Sequence, residues 1–231
     1  MRIDGRKNNE TRQIKFTRNY TKHAYGSVLT EFGDTKVIVT ASVETGKPKW
    51  MDKEDNRGWL TAEYSLLPSS TNTRCQRERS KISGRTQEIQ RLIGRSLRAC
   101  LDLSKMTDVT ITIDADVIQA DGGTRTASIC GGFVALKDAI EKLLAEGILK
   151  ENPIIEPIAA ISVGIVDSEV RLDLEYTEDC HAQVDSNVVL TKSGKIVEFQ
   201  TTAEGEAYEY AQMLEIFNVA KKGIDEIIAK Y

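Results

Sequence analysis

The 231-residue sequence predicts a single α+β domain, mixed sheets packed with helices, over residues 1–231. Three observations predict it. Groups of short runs with strand periodicity alternate with long helical stripes. No low-complexity linker divides the chain. The length supplies ample core for unaided stability. The order of elements recurs once and suggests two related halves, although no exact sequence repeat is present.

Residues 1–12 are polar and charged, carrying Arg2, Asp4, Arg6, Lys7 and Arg12, the composition of a frayed terminus. Residues 27–32 and 36–43 are β-rich runs that flank Gly33-Asp34-Thr35, a hairpin signal. Residues 59–66 read as another strand, after a charged loop with Asp52, Lys53, Glu54 and Asp55. Over residues 83–103, Ile89, Leu92, Ile93, Leu97, Cys100 and Leu101 fall on one helical stripe, with Arg91, Arg95 and Arg98 beside it. In residues 108–118, Val109, Ile111, Ile113, Ala115 and Val117 alternate with Thr110, Thr112, Asp114 and Asp116, the period of a half-buried strand. Beyond Asp121 the period changes, and Ile129, Phe133, Leu136, Ile140, Leu143 and Leu144 recur at helical spacing. Pro153 and Pro157 then break the chain. Residues 158–166 and 169–174 flank Asp167-Ser168 as one hairpin, and residues 184–191 and 195–202 flank Ser193-Gly194 as another. A last helix over residues 207–229 buries Tyr210, Met213, Leu214, Phe217, Ile224, Ile227 and Ile228.

Composition excludes several classes. With 31 Lys and Arg against 35 Asp and Glu, the chain is mildly acidic, so any site for a polyanion requires local segregation of charge. Cys75, Cys100, Cys130 and Cys180 form no C-x-x-C pair and accompany only two histidines, which argues against a zinc site and a disulfide framework and for a reducing cytosol. The most apolar stretch, residues 154–166, is interrupted by Glu156 and Pro157 and is too short to span a bilayer, so no membrane partner is expected. The neighbours Cys180 and His181 point to opposite sides of an extended chain and make a poor nucleophile–base dyad.

Three constellations carry chemistry. Gly122-Gly123-Thr124-Arg125 sits where a strand turns into a helix. There glycines admit close approach, the first helical N–H groups lack partners, the helix dipole favours an anion and Arg125 offers a fork of donors. Taken alone the stretch is equally a plain strand-to-helix turn. Residues 74–98 carry eight basic side chains, Arg74, Arg77, Arg79, Lys81, Arg85, Arg91, Arg95 and Arg98, against only Glu78 and Glu88. This is either a phosphate-binding patch or a solvated helix face. Asp173, Glu175, Glu178, Asp179 and Asp185 gather within thirteen residues, which suits either magnesium, taking one or two carboxylates with water and substrate phosphate, or plain solvation. An anion turn, an arginine patch and a carboxylate group together describe chemistry on a phosphodiester.

The chain resembles the ribonuclease PH family of phosphate-dependent 3′-to-5′ exoribonucleases along nearly its whole length. The matching stretches are residues 2–6, 40–44, 58–64, 83–95, 120–127, 173–179, 184–189 and 203–205, eight motifs in order. Among them are Ala120-Asp121-Gly122-Gly123-Thr124-Arg125 and Val184-Asp185-Ser186-Asn187. The resemblance implies a fold like domain 2 of ribosomal protein S5 and a homo-hexameric ring, a trimer of dimers. It implies that Arg85, Gly123, Thr124 and Arg125 hold inorganic phosphate, the co-substrate, and that Asp179 and Asp185 are the catalytic pair and the ligands of magnesium. It further implies that Arg74 and Arg77 guide RNA, with tRNA precursors as substrate, and that Arg2 to Arg6 are not a loose tail; Arg79, in the same basic loop, is expected to bind RNA with them. The sequence departs from the family pattern at Ser69, where arginine is usual, at Thr201, where glycine is usual, and in a shortened loop over residues 77–84. The expected activity is reversible phosphorolysis that trims 3′ ends. A hydrolytic nuclease and a catalytically silent RNA-binding ring subunit are its rivals.

Overall fold

Alternation and glycine placement dictate where the strands pair. In this computed structural model, which describes residues 2–52 and 54–231, five strands form the first sheet: β1 (Ile14–Arg18), β2 (Gly26–Phe32), β3 (Thr35–Thr45), β4 (Trp59–Leu66) and β5 (Val109–Gln119). Lys53 of the charged loop lies outside the described residues. The order is β1-β2-β3-β5-β4, with β4 parallel to β5 and every other pair antiparallel. β1 lies beyond the polar terminus, where Ile14 and Phe16 alternate with Lys15 and Thr17, a short period-two run that the sequence reading leaves unassigned. Its register on β2 places Ile14 beside Phe32 in the core.

Two helices cover one face of this sheet, α1 (Gly84–Arg98) on β4 and α2 (Thr124–Ala145) across β2, β3 and β5. Ser83 caps α1, its Oγ accepting from Thr86 N–H at 3.2 Å. The helix stops at Arg98, short of residue 103, because the chain beyond it bonds elsewhere. Asp102 N–H donates to Pro153 O, Ile155 N–H donates to Cys100 O, and Asp102 caps a 3-10 turn at Leu103–Met106. Cys100 and Leu101 stay buried, so their periodicity reported burial and not helix.

The second sheet is antiparallel in the order β7-β6-β8-β9, from β6 (Ile158–Val166), β7 (Glu169–Leu172), β8 (Val184–Thr191) and β9 (Ile196–Ala203). Every residue of β6 is buried, because α2 packs on the strand and α4 (Tyr210–Ile228) packs on it too. That explains its unbroken apolar run. One continuous apolar cluster runs from Ile14 and Phe32 through α2 to Ile224 and Ile227.

Two expectations need correction. The buried face of α4 is Ile216, Ala220, Gly223, Ile224 and Ile227, while Tyr210 is 71% exposed and Leu214 42% exposed. The contact is closest at Gly223, where a Cβ would lie 2.8 Å from Ile161 Cδ1, and the isoleucines on either side of it fill the rest of the seam. β7 ends at Leu172 and not at residue 174, because Asp173 takes a left-handed conformation, φ 54°.

The charged terminus is anchored, not frayed. Arg2 is 3% exposed, donating to Leu172 O and Asp173 O and pairing with Glu178. Arg12 pairs with Asp173 through Nη2 to Oδ1 at 2.7 Å and Nε to Oδ2 at 3.1 Å, and its backbone N–H donates to the same carboxylate at 2.8 Å. Asp173 is fully buried, so these three bonds are its replacement for water. Replacing Asp173 by Ala strands the Arg12 guanidinium and should reduce unfolding free energy by about 3–5 kcal/mol. Urea titration checks this, and a loss below about 1 kcal/mol contradicts it.

Candidate active site

β5 ends where Ala120 N–H donates to Ser70 O, and the chain turns through Asp121, Gly122 and Gly123 into α2. Both glycines have positive φ, 73° and 66°. A Cβ on Gly122 would lie 2.6 Å from Leu174 O, so neither conformation nor space admits another residue there. The carbonyls of Asp121 and Gly122 are both bonded within the fold. Asp121 O accepts from Arg12 Nη1 at 2.5 Å, and Gly122 O accepts from Thr35 Oγ1 at 2.6 Å. Because these peptides are trans and planar, the N–H groups of Gly122 and Gly123 point away from those bonds. They adjoin the uncapped start of α2, which has no side-chain cap and no acidic residue in its first turn.

The turn and the start of α2 line a cavity of about 380 Å³. Arg85, Gly123, Thr124 and Arg125 line it, and so do Asp179 and Asp185. Arg85 comes from the first turn of α1, Asp179 from α3 (Tyr176–Asp179) and Asp185 from β8. The cavity therefore has a donor wall from the first half of the chain and a carboxylate wall from the second. Arg125 also approaches Glu88 at 4.0 Å, a loose contact that leaves its fork available.

The wider acidic group divides. Asp173 is taken by Arg12, and Glu178 by Arg2, with Arg171 Nη1 at 3.4 Å. Glu175 caps α3, accepting from Glu178 N–H and Thr177 N–H. Only Asp179 and Asp185 remain for chemistry. Among the described residues no three His, Cys, Asp or Glu side chains gather to hold a metal ion. A pair of carboxylates on an open wall nevertheless fits magnesium, which fills its shell with water and substrate oxygens.

Burial pushes the Asp185 carboxyl up to about 6, reinforced by the charge of Asp179 and opposed by Arg125. Burial also raises Asp179, against Arg125, Arg85 and Arg12. Asp185 is thus the carboxyl better suited to carry a proton near neutrality.

The loop arginines stand apart. Arg74, Arg77 and Arg79 are exposed and do not line the cavity, whereas Thr71, Asn72 and Thr73, at the root of the same loop, do. The patch on α1 is also partly structural: Arg95 pairs with Glu198 at 2.7 Å, and Arg98 lies over Trp59 and donates to Leu60 O.

The residue-by-residue reading of the sequence passed over Tyr64, Ser162 and Asn187, which also line the cavity. Tyr64 Oη lies 2.9 Å from Thr124 Oγ1, so a ring in the core fixes a hydroxyl at the turn. Period two was the available signal, since Asn187 follows Asp185 by two residues on β8 and shares its face.

Comparison with known proteins bears on the family and the fold. The model of the 3′ exoribonuclease family, domain 1, matches residues 10–140, and that of domain 2 matches residues 156–223. Rrp46 of rice, Oryza sativa, superposes with a TM-score of 0.77 at 20% identity, covering 99% of this chain and 98% of that one. A chain of the Archaeoglobus fulgidus exosome, solved with RNA bound to the active site, gives 0.81 at 21% identity, covering 99% and 92%. A chain of an archaeal exosome core gives 0.80 at 22%, covering 99% and 90%. At such identities the likeness establishes the fold, of α+β class, as in domain 2 of ribosomal protein S5. With two family models in sequence order over most of its length, the chain belongs to the 3′ exoribonuclease family, ribonuclease PH.

Proposed function

We propose that the protein is a phosphate-dependent 3′-to-5′ exoribonuclease that trims tRNA precursors. The observation that carries this reading is the meeting of two walls in one cavity, Arg85, Arg125 and the Gly123 turn facing Asp179 and Asp185. Inorganic phosphate sits against the donors of the first wall. One of its oxygens attacks the last phosphodiester in line, and the bond from phosphorus to the 3′ oxygen breaks. The leaving oxygen takes a proton from Asp185. The products are a nucleoside diphosphate and RNA shorter by one nucleotide, and the same geometry serves the reverse nucleotidyl transfer. Bringing two anions together is the main barrier, which arginines and backbone N–H groups lower by positioning and charge. Asp179 and Asp185 would hold magnesium, which when bound offsets negative charge on the phosphoryl oxygens.

A water-driven nuclease has no use for a second anion site lined with arginine. The fold-level likeness to exosome chains supports a second reading, an RNA-binding ring subunit without chemistry, and shortening of RNA separates the two. We place the enzyme in a ring of six copies. Exposed Tyr210 and Leu214 on α4 and Ile196 on the outer strand β9 support burial against another copy. Among the described residues no helix is long and apolar enough to cross a membrane, and all four cysteines are free, which suits the cytosol.

Removing the guanidinium in Arg125→Ala should raise the phosphate concentration for half-maximal rate by about 10- to 100-fold. Unchanged phosphate dependence in a folded variant contradicts the assignment. Asp185→Asn keeps the shape and removes the proton donor, so turnover should fall by about 10²- to 10⁴-fold while RNA affinity stays within several-fold. A parallel collapse of affinity would make Asp185 structural.

The loop arginines belong to the body of the RNA. Arg74→Ala with Arg77→Ala should weaken binding of tRNA precursors and lower the slope of log affinity against log salt by roughly 0.7–0.9 per lost contact. The rate at saturating RNA should hold. Light scattering supplies the control, because a ring offers several such loops to one RNA. Unchanged affinity and slope at hexamer mass would leave these arginines a solvated surface.

A further inference from the structure

Asn187 lies in the middle of β8 and is 5% exposed. Its backbone takes part in the ladder between β6 and β9, opposite Ser162 and Gln200. Its side-chain amide, by contrast, makes no hydrogen bond to any described residue, yet it lines the cavity. Neither amide atom is among the sealed, unpartnered polar atoms, so the amide faces the cavity and is not shut in the core. An amide that reaches the cavity can be solvated there but adds no bond to the fold, so an apolar side chain of the same shape would cost the protein none of its own hydrogen bonds. The site therefore holds a polar group whose partner arrives from outside.

The chemistry of that partner follows from what surrounds the amide. The anion donors are already supplied by Arg85, Arg125 and the glycine turn. A carboxylate wall at Asp185, two residues away on the same strand face, also disfavours a second anion there. An amide both donates and accepts, and the ligand group that does the same is a hydroxyl. Ser162 stands across the β6–β8 pair on the same face and lines the cavity too. Its Oγ accepts from Leu174 N–H at 3.1 Å, which leaves the hydroxyl proton free to donate.

We propose that Asn187, with Ser162 beside it, binds a sugar hydroxyl of the terminal nucleotide and selects a ribose over a 2′-deoxyribose at the 3′ end. The 2′-hydroxyl is the group by which a protein tells RNA from DNA at a given position. This inference rests on the exoribonuclease reading and deepens it, by assigning the sugar specificity of the same cavity to named side chains.

Product binding tests it without requiring turnover. Calorimetry with ADP and with 2′-deoxy-ADP, on the full chain with phosphate omitted, should show ADP bound about tenfold more tightly by the wild type. Asn187→Ala should weaken ADP by about tenfold and leave 2′-deoxy-ADP within twofold, so that the preference disappears. Asn187→Leu keeps the volume and removes the polar atoms. It should lose the same preference with a thermal midpoint equal to or above that of the wild type, because the unpartnered amide is gone. Equal binding of the two nucleotides by the wild type, or a preference that survives in both variants, overturns the inference alone. A fall of several degrees in the Asn187→Leu midpoint also overturns it, since the amide would then serve the fold. Binding of neither nucleotide overturns the exoribonuclease reading and this inference with it.

Discussion

Arg12 exchanges its water for the Asp173 carboxylate and for the carbonyls of Asp121 and Gly122, and most of what the site can do depends on that exchange. A guanidinium is planar and presents its donors in a fixed fork, so it binds the carboxylate with one edge and the turn with the other. Three parts of the chain meet there: the terminal segment, the turn before α2 and the corner after β7. Turning the carbonyls of Asp121 and Gly122 toward Arg12 turns the N–H groups of the following residues away from it, in a turn whose glycines line the cavity. The donor wall is thus produced from behind, by a residue that does not line the cavity. Lysine at this place would keep the charge and lose the geometry.

The same economy appears in the distribution of charge. The chain has a net formal charge of −4, so the donor character of the cavity depends on burying carboxylates against arginines outside it. Asp173 and Glu178 are neutralised within the fold by Arg12, Arg2 and Arg171. What reaches the cavity is two arginines, a helix start and two carboxylates. Asp185 is held near 6 by its burial and by Asp179, while the arginines keep the pair from both losing their charge.

The sheets and helices were legible in the sequence wherever one face meets the core and the other meets water. β5 and β4 follow their alternation, and α2 starts at the glycines that signal it. Legibility failed where tertiary bonding overrides the period. The end of α1 is claimed by Pro153 and Ile155, and α4 approaches the second sheet most closely at Gly223, which rotates Tyr210 and Leu214 away from it. The charged terminus passes for a tail because a run of arginines carries no record of the buried carboxylates that it will meet about 160 residues later. In the site, Arg85, Arg125, Asp179 and Asp185 meet, but the split of five carboxylates into three structural and two free was hidden. Sequence spacing counts charges, whereas only the fold decides which of them already has a partner. Asn187 shows the converse: a neutral residue that looks like filler in a strand turns, in the fold, an amide with no bond to another described residue toward the cavity.

The central claim is that phosphate, not water, is the nucleophile that this cavity is built to hold. The direct measurement is to incubate the wild-type protein with 3′-extended RNA in ¹⁸O-labelled inorganic phosphate and to weigh the released mononucleotide by mass spectrometry. The account predicts a nucleoside diphosphate whose terminal phosphoryl group carries the label, and no release when phosphate is left out. An unlabelled nucleoside monophosphate, released at the same rate in phosphate-free buffer, would contradict it.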